Sequence, residues 1–194
     1  MRVKFISFFA LTGLATLSGC GTSPRTQFIT LSTVPPKTIV SYSGPSLIVG
    51  RVRLPPELDR LSLVRSLGDN QVDVNGVVQW AAPLDLLVRS ALARDIADRL
   101  PRGHVIIPGE VQPSGPAKVM VVTFAEFRIS ERGTVTLTAV WSLLNAATEK
   151  ELTSQECTVH ARAASATGGD IARAISVALG KLADAMVVQI TKPV

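Results

Sequence analysis

Three β-prone runs in the second half of the chain, at residues 118–130, 135–144 and 151–163, constrain its fold more than any other feature. Glu131-Arg132-Gly133 joins the first two, and residues 145–150 join the last two. A parallel crossover needs a dozen or more residues, so these connections dictate an antiparallel meander. The middle run sets Val135, Leu137, Ala139, Trp141 and Leu143 against Thr136, Thr138, Val140 and Ser142. That period of two marks one apolar face. In the first run the same reading groups Val119, Val121, Thr123, Ala125, Phe127 and Ile129 on one side.

A sheet with one apolar face needs a covering layer. Two segments have the period to supply it. Over residues 83–100, Leu84, Leu87, Val88, Ala91, Leu92, Ile96 and Leu100 recur at spacings of three and four, one helical stripe. Asp85, Arg89, Arg94, Asp98 and Arg99 fall largely off it. Pro83 suits the first helical position, and Pro101 and Gly103 end the helix. After Gly168-Gly169-Asp170, Ile171, Ile175, Ala178, Leu179, Leu182 and Met186 line a second stripe, and Asp170 can cap this helix. Shorter β-rich pieces lie at residues 28–31, 46–54, 62–67 and 105–108. Residues 71–74 and 77–80 flank Asn75-Gly76, a strong hairpin signal. The expectation is an α+β fold: one domain, with a mostly antiparallel sheet covered by two amphipathic helices.

The N-terminus carries different information. Arg2 and Lys4 precede an apolar run of 13 residues, 5–17, which leads to Leu17-Ser18-Gly19-Cys20. A positive start, a short apolar core and small residues before a cleavage point define a secretory signal. The run falls short of the roughly 20 residues that span a bilayer. Leu-Ser-Gly-Cys resembles the bacterial lipobox, whose cysteine is acylated and becomes the first mature residue. Residues 1–19 are therefore expected to be a lipoprotein signal peptide. Residues 20–27 form a short lipidated tether, and residues 28–191 the folded domain. Each buried methylene contributes about 0.8 kcal/mol, so two or three acyl chains on Cys20 hold the protein on its membrane. Gly21, rather than an aspartate, follows Cys20; by resemblance to enterobacterial lipoproteins this favours the outer membrane.

Charge and cysteine usage narrow the function classes. The chain has 20 basic and 15 acidic residues. Cleavage removes Arg2 and Lys4 and no acids, so the mature charge is +3. No basic block interleaved with aromatics appears, which argues against nucleic acid as a partner. With Cys20 acylated, Cys157 has no intrachain disulfide partner. Its place in a strand reads as a small apolar filler. His104 reads as a solvated loop residue, and His160 as a strand residue facing solvent or an interface. The two histidines show no metal-ligand spacing, and no Gly-x-Ser-x-Gly or phosphate loop occurs. The expectation is a protein that is not an enzyme and needs no metal or cofactor.

The stretch from Leu54 to Leu84 contains Leu54-Pro55-Pro56-Glu57-Leu58-Asp59-Arg60, then Trp80, then Pro83-Leu84. Taken alone, it is strand, loop, hairpin and helix start, with Trp80 as core filler. In order, together with Phe28-Ile29-Thr30-Leu31 near the lipid cysteine and Val140-Trp141 in a late strand, it resembles the PqiC/YmbA-type lipoproteins, the auxiliary lipoprotein components of ABC-type transport systems. Phe28 stands where that family carries tyrosine.

The resemblance implies a non-catalytic docking subunit on the periplasmic face of the outer membrane. Its implied partners are a periplasmic mammalian-cell-entry (MCE) domain protein and inner-membrane transporter components. Together they would move lipids or other hydrophobic molecules. Leu58, Asp59 and Arg60 would make the partner contacts, and acylated Cys20 would bind outer-membrane lipid. Two other readings stay open: a structural envelope lipoprotein that binds peptidoglycan or an assembly machine, and a stand-alone lipid carrier. The sequence accommodates a monomer and a homo-oligomer alike.

Overall fold

The structure, a computed structural model, describes residues 23–68, 70–111 and 115–192. The signal segment 1–19 and Cys20 lie outside the described residues, as do part of the tether and Asp69 of the Asp69-Asn70 turn. Three strands form one sheet in the order β1 (Gln27–Ile29), β4 (Val72–Trp80), β3 (Ser62–Ser66). Five form another: β5 (Val105–Ile106), β2 (Ser46–Arg53), β6 (Ala117–Ile129), β7 (Thr134–Asn145), β8 (Glu151–Arg162). Two helices, α1 (Leu84–Arg99) and α2 (Gly168–Ile190), complete the α+β fold. A single buried cluster runs through both sheets and both helices. Among the described residues, no helix is long and apolar enough to cross a membrane.

The β6–β7–β8 meander is antiparallel throughout, as its short turns require. The sheets as wholes are mixed rather than mostly antiparallel. β2 runs parallel to both β5 and β6, and β1 runs parallel to β4. The chain between β2 and β6 carries β3, β4, α1 and β5, ample length for a parallel crossover. α1 packs on β2, α2 packs on β7 and β8, and the helices pack on each other.

In β7 the inward residues are the expected ones, Val135, Leu137, Ala139, Trp141 and Leu143, all at most 3% exposed. β6 departs from a simple alternation. Met120, Val122 and Phe124 are buried first, then Phe127 and Ile129. Phe124 pairs with Ala139 and Glu126 with Thr138, so Ala125 is an extra residue, a β-bulge that reverses the phase. Val119, Val121 and Thr123 therefore face away from the helices. A second irregularity lies in β2 between Val49 and Val52. A Cβ on Gly50 would come within 2.7 Å of Val119 Cγ1, so a larger residue there would force Val119 or the strand to shift. Arg89 Nε of α1 donates to Val49 O at 2.9 Å.

Asn75-Gly76 does not form a hairpin. β4 runs straight through it, and the turn into β4 lies earlier, where Leu67 N donates to Gln71 O at 2.9 Å. Ser62 pairs with Gln79 and Val64 with Val74, so residues 75–78 of β4 lie opposite Leu63 alone. Asn75 Oδ1 accepts from Val77 N at 2.9 Å and Val78 N at 2.8 Å. The local bonding that makes Asn-Gly a turn signal here stabilises a wide bulge.

Both helix starts differ from expectation by a residue or more. Pro83 has extended ψ (131°) and is the N-cap of α1, just outside the helix. Thr167 caps α2, its Oγ1 accepting from Asp170 N at 3.3 Å. Asp170 sits in the first turn, where its carboxylate accepts from Ser165 Oγ at 2.5 Å. Cys157 is half-buried against the core, and burial pushes its thiol pKa up. His104 is half-buried and meets the Tyr42 ring edge-on, with centroids 5.2 Å apart, rather than standing free in solvent. His160 is exposed on β8, its Nδ1 3.2 Å from Thr136 Oγ1.

Candidate functional site

The loop after β2 owes its shape to its prolines. Pro55 and Pro56 fix two φ angles and open a single 3₁₀ turn, Pro56–Leu58. Leu58 N donates to Pro55 O at 3.0 Å and Asp59 N to Pro56 O at 3.1 Å. Asp59 then adopts φ −74°, ψ 63°, the centre of an inverse γ-turn. Arg60 N closes that turn onto Leu58 O at 2.8 Å. The chain reverses within three residues and leaves Asp59 and Arg60 exposed at its tip.

Leu58 behaves differently from its neighbours. Its side chain is buried in the core cluster. It anchors the loop and lines the cleft beside it. The exposed apolar surface next to it is that of Leu61, which is 45% exposed.

The loop forms one wall of a cleft of about 560 Å³, and the start of α1, Pro83 to Asp85, forms another. Val52, Leu54 and Leu84 supply apolar lining; Arg53, Asp59, Arg60 and Asp85 supply charge of both signs. Asp59 and Arg60 are not paired with each other in an ion pair among the described residues. Arg53, Asp59 and Arg60 are exposed and Asp85 is half-buried around an apolar cleft. Such an arrangement suits a complementary protein segment, with hydrophobic contact at the centre and charges at the rim fixing orientation.

The sequence singled out residues 58–60, and the fold joins to them Arg53, Leu61 and Asp85. Only tertiary packing brings residues 83–85 beside residues 52–61. Trp80 and Trp141 are each 2% exposed. They serve as core under this region and not as surface. Among the described residues, no group of three His, Cys, Asp or Glu side chains is placed to hold a metal.

A second polar cluster, invisible to the stripe analysis, lies between the helices. Asp95 and Arg99 are 0% and 1% exposed. Arg99 Nε donates to Asp184 Oδ1 at 2.6 Å, and its other nitrogens reach Asp95 O at 2.7 Å and Gly180 O at 3.0 Å. Asp95 Oδ1 accepts from Val34 N at 2.8 Å, while Asp95 Oδ2 is buried without a partner. Desolvation lifts the Asp95 pKa from 3.8 to about 6, partly offset by the Val34 hydrogen bond and the Arg99 charge. This cluster straps residues 32–34 across both helices, helped by Ser32 N donating to Ser176 Oγ at 3.0 Å.

Comparison with known proteins follows the same lines. A crystal structure of an uncharacterized protein superposes with a TM-score of 0.65 at 14% identity, covering 87% of this chain and all of that one. A crystal structure of a Xanthomonas campestris protein of the DUF330 family gives 0.63, also at 14% identity, covering 84% of this chain and 94% of that one. These likenesses show a shared fold. A search of curated proteins finds no match. Residues 30–187 match the family described as ABC-type transport auxiliary lipoprotein component. That match takes in every element from β2 to most of α2, and the chain belongs to the ABC-type transport auxiliary lipoprotein family.

Proposed function

We propose that this protein is the lipid-anchored, non-catalytic docking subunit of an MCE/Pqi-type intermembrane transport system, seated on the periplasmic face of the outer membrane. The family match over residues 30–187 carries this reading, because it ties the whole domain to an ABC-type transporter in an auxiliary role. In this reading residues 1–19 are cleaved, Cys20 is acylated, and residues 20–27 tether a domain formed by residues 28–191. The cleft beside Asp59 and Arg60 receives the periplasmic MCE-domain partner. Its mixed charges and exposed Leu61 support that assignment, since rim charges orient a partner around an apolar contact.

The test is purification of the acylated protein in mild detergent, with mass spectrometry of what accompanies it. A stoichiometric MCE-domain protein is the expected result. Peptidoglycan enzymes or assembly factors in its place would replace the transport reading with a structural one. Asp59→Arg then tests the cleft. It should weaken recovery of the partner by on the order of tenfold, about 1.4 kcal/mol, with the fold intact. Equal recovery would make the loop purely structural.

A further inference from the structure

The first strand presents an exposed aromatic where the tether enters the domain. Phe28 is 67% exposed, although the strand that carries it is firmly held. β1 pairs in register with β4, Phe28 opposite Gln79, and Ala81 N donates to Ile29 O at 2.8 Å. Just downstream, Ser32 is bonded to Ser176 of α2. A single exposed apolar ring needs no explanation by itself; its setting beside an apolar cleft is what gives it meaning.

Beside Phe28 lies a cleft of about 510 Å³, bounded by Val34 and Pro35 of the following segment and by Ala172, Arg173 and Val177 of α2. Arg173 stands at its rim with a side chain 79% exposed. Its sole ion pair among the described residues is with Asp170, at the 4.0 Å limit. The site therefore joins an aromatic ring, an aliphatic lining and an outward guanidinium. Aromatic and cationic side chains lining one cleft are chemically suited to a bilayer interface.

Tether length identifies the occupant. Seven residues, 21–27, lie between Cys20 and Phe28, so across eight residue steps even a fully extended tether spans at most roughly 28 Å. A domain held that close to a membrane meets the lipid surface continually, and the residues nearest the tether meet it first. Arg25, exposed within the tether, adds a second positive charge on the same approach. We propose that Phe28, Arg173 and the cleft between them form a membrane-contact surface. Phe28 enters the interfacial layer of the bilayer that holds Cys20, and Arg173 engages lipid phosphate. The surface fixes the orientation of the domain on its membrane. This inference rests on the reading of Cys20 as acylated.

The test uses the full-length acylated protein carrying Phe28→Trp. It is reconstituted into phosphatidylethanolamine–phosphatidylglycerol vesicles whose acyl chains are brominated near the carbonyl end. Vesicle flotation comes first, then tryptophan fluorescence of the floated fraction. Trp80 and Trp141 are buried in the core and supply an unquenched baseline. Most of the fluorescence added by Phe28→Trp should be lost to bromine, and Arg173→Glu in the same background should restore part of it. Protein that floats without quenching overturns the contact surface and leaves the anchor standing. Protein that does not float overturns both.

Discussion

At the scale of single residues, the Asp95–Arg99–Asp184 cluster concentrates buried charge between the helices. Arg99 makes four hydrogen bonds from a nearly inaccessible position, two of them on backbone carbonyls of α1 and α2. Asp95 receives only the Val34 N–H and a 3.8 Å approach from Arg99, with one oxygen unpartnered. A carboxylate so placed costs stability when ionised. The sign is fixed by its pKa, about 6 folded against 3.8 for a free carboxyl. The folded state holds the proton more tightly, so this group's contribution is fully present below pH 3.8 and is lost as pH rises through about 6. Asp95→Asn keeps the acceptor for Val34 N but does not titrate. Relative to that variant, the wild type should lose up to roughly 3 kcal/mol across this window. Urea-unfolding midpoints at several pH values measure it, and parallel curves would refute the claim. The helical stripe left Asp95 unassigned and put Arg99 off the apolar face, because periodicity scores hydrophobicity and cannot see a partner arriving from α2 and from residue 34.

At the scale of elements, bulges decide what alternation alone cannot. Ala125 is one extra residue in β6, and it moves Phe127 and Ile129 onto the face already held by Met120, Val122 and Phe124. A slip of one residue exchanges the two faces of a strand. The assignment of β7 held because that strand is regular up to Leu143, while β6 was right only beyond its bulge. Asn75-Gly76 shows the same limit. The pair has the chemistry of a turn, but β4 continues because Val78 and Trp80 are buried beyond it. Asn75→Ala removes the acceptor of two backbone N–H groups, so the cost should be roughly 1–3 kcal/mol. Chemical denaturation measures this, and an unchanged midpoint would show that water replaces the side chain. The cap of α2 lay three residues before the predicted one, since Thr167 and Asp170 share the first turn and only geometry assigns the capping atom.

At the scale of the whole molecule, the proposed function describes one device, a globular domain on a short lipidated leash. Cys20→Ser should abolish acyl labelling and move the protein from the membrane fraction to the soluble periplasmic fraction; retention on the membrane would end the lipoprotein reading. On the two proposals, the cleft at Asp59 and the Phe28 surface have separate tasks, one toward a protein partner and one toward lipid. In the candidate site, Asp59 and Arg60 were legible as a pair because prolines and charged turn residues leave a local signature. The burial of Leu58 depends on the core beneath the loop, which local sequence does not show, and Asp85 joined only when α1 packed beside the loop.

Local rules, then, were sufficient for whatever the chain settles within a few residues. The meander follows from connection length, the two helices from their apolar period, and the loop from its prolines. The parallel placement of β2 between β5 and β6, the division into two sheets, the bulge at Ala125 and the strap held by Asp95 and Arg99 were settled by tertiary structure. Each of these joins segments far apart in the chain, and their energies arise from burial and hydrogen bonds that do not exist until the distant segments meet.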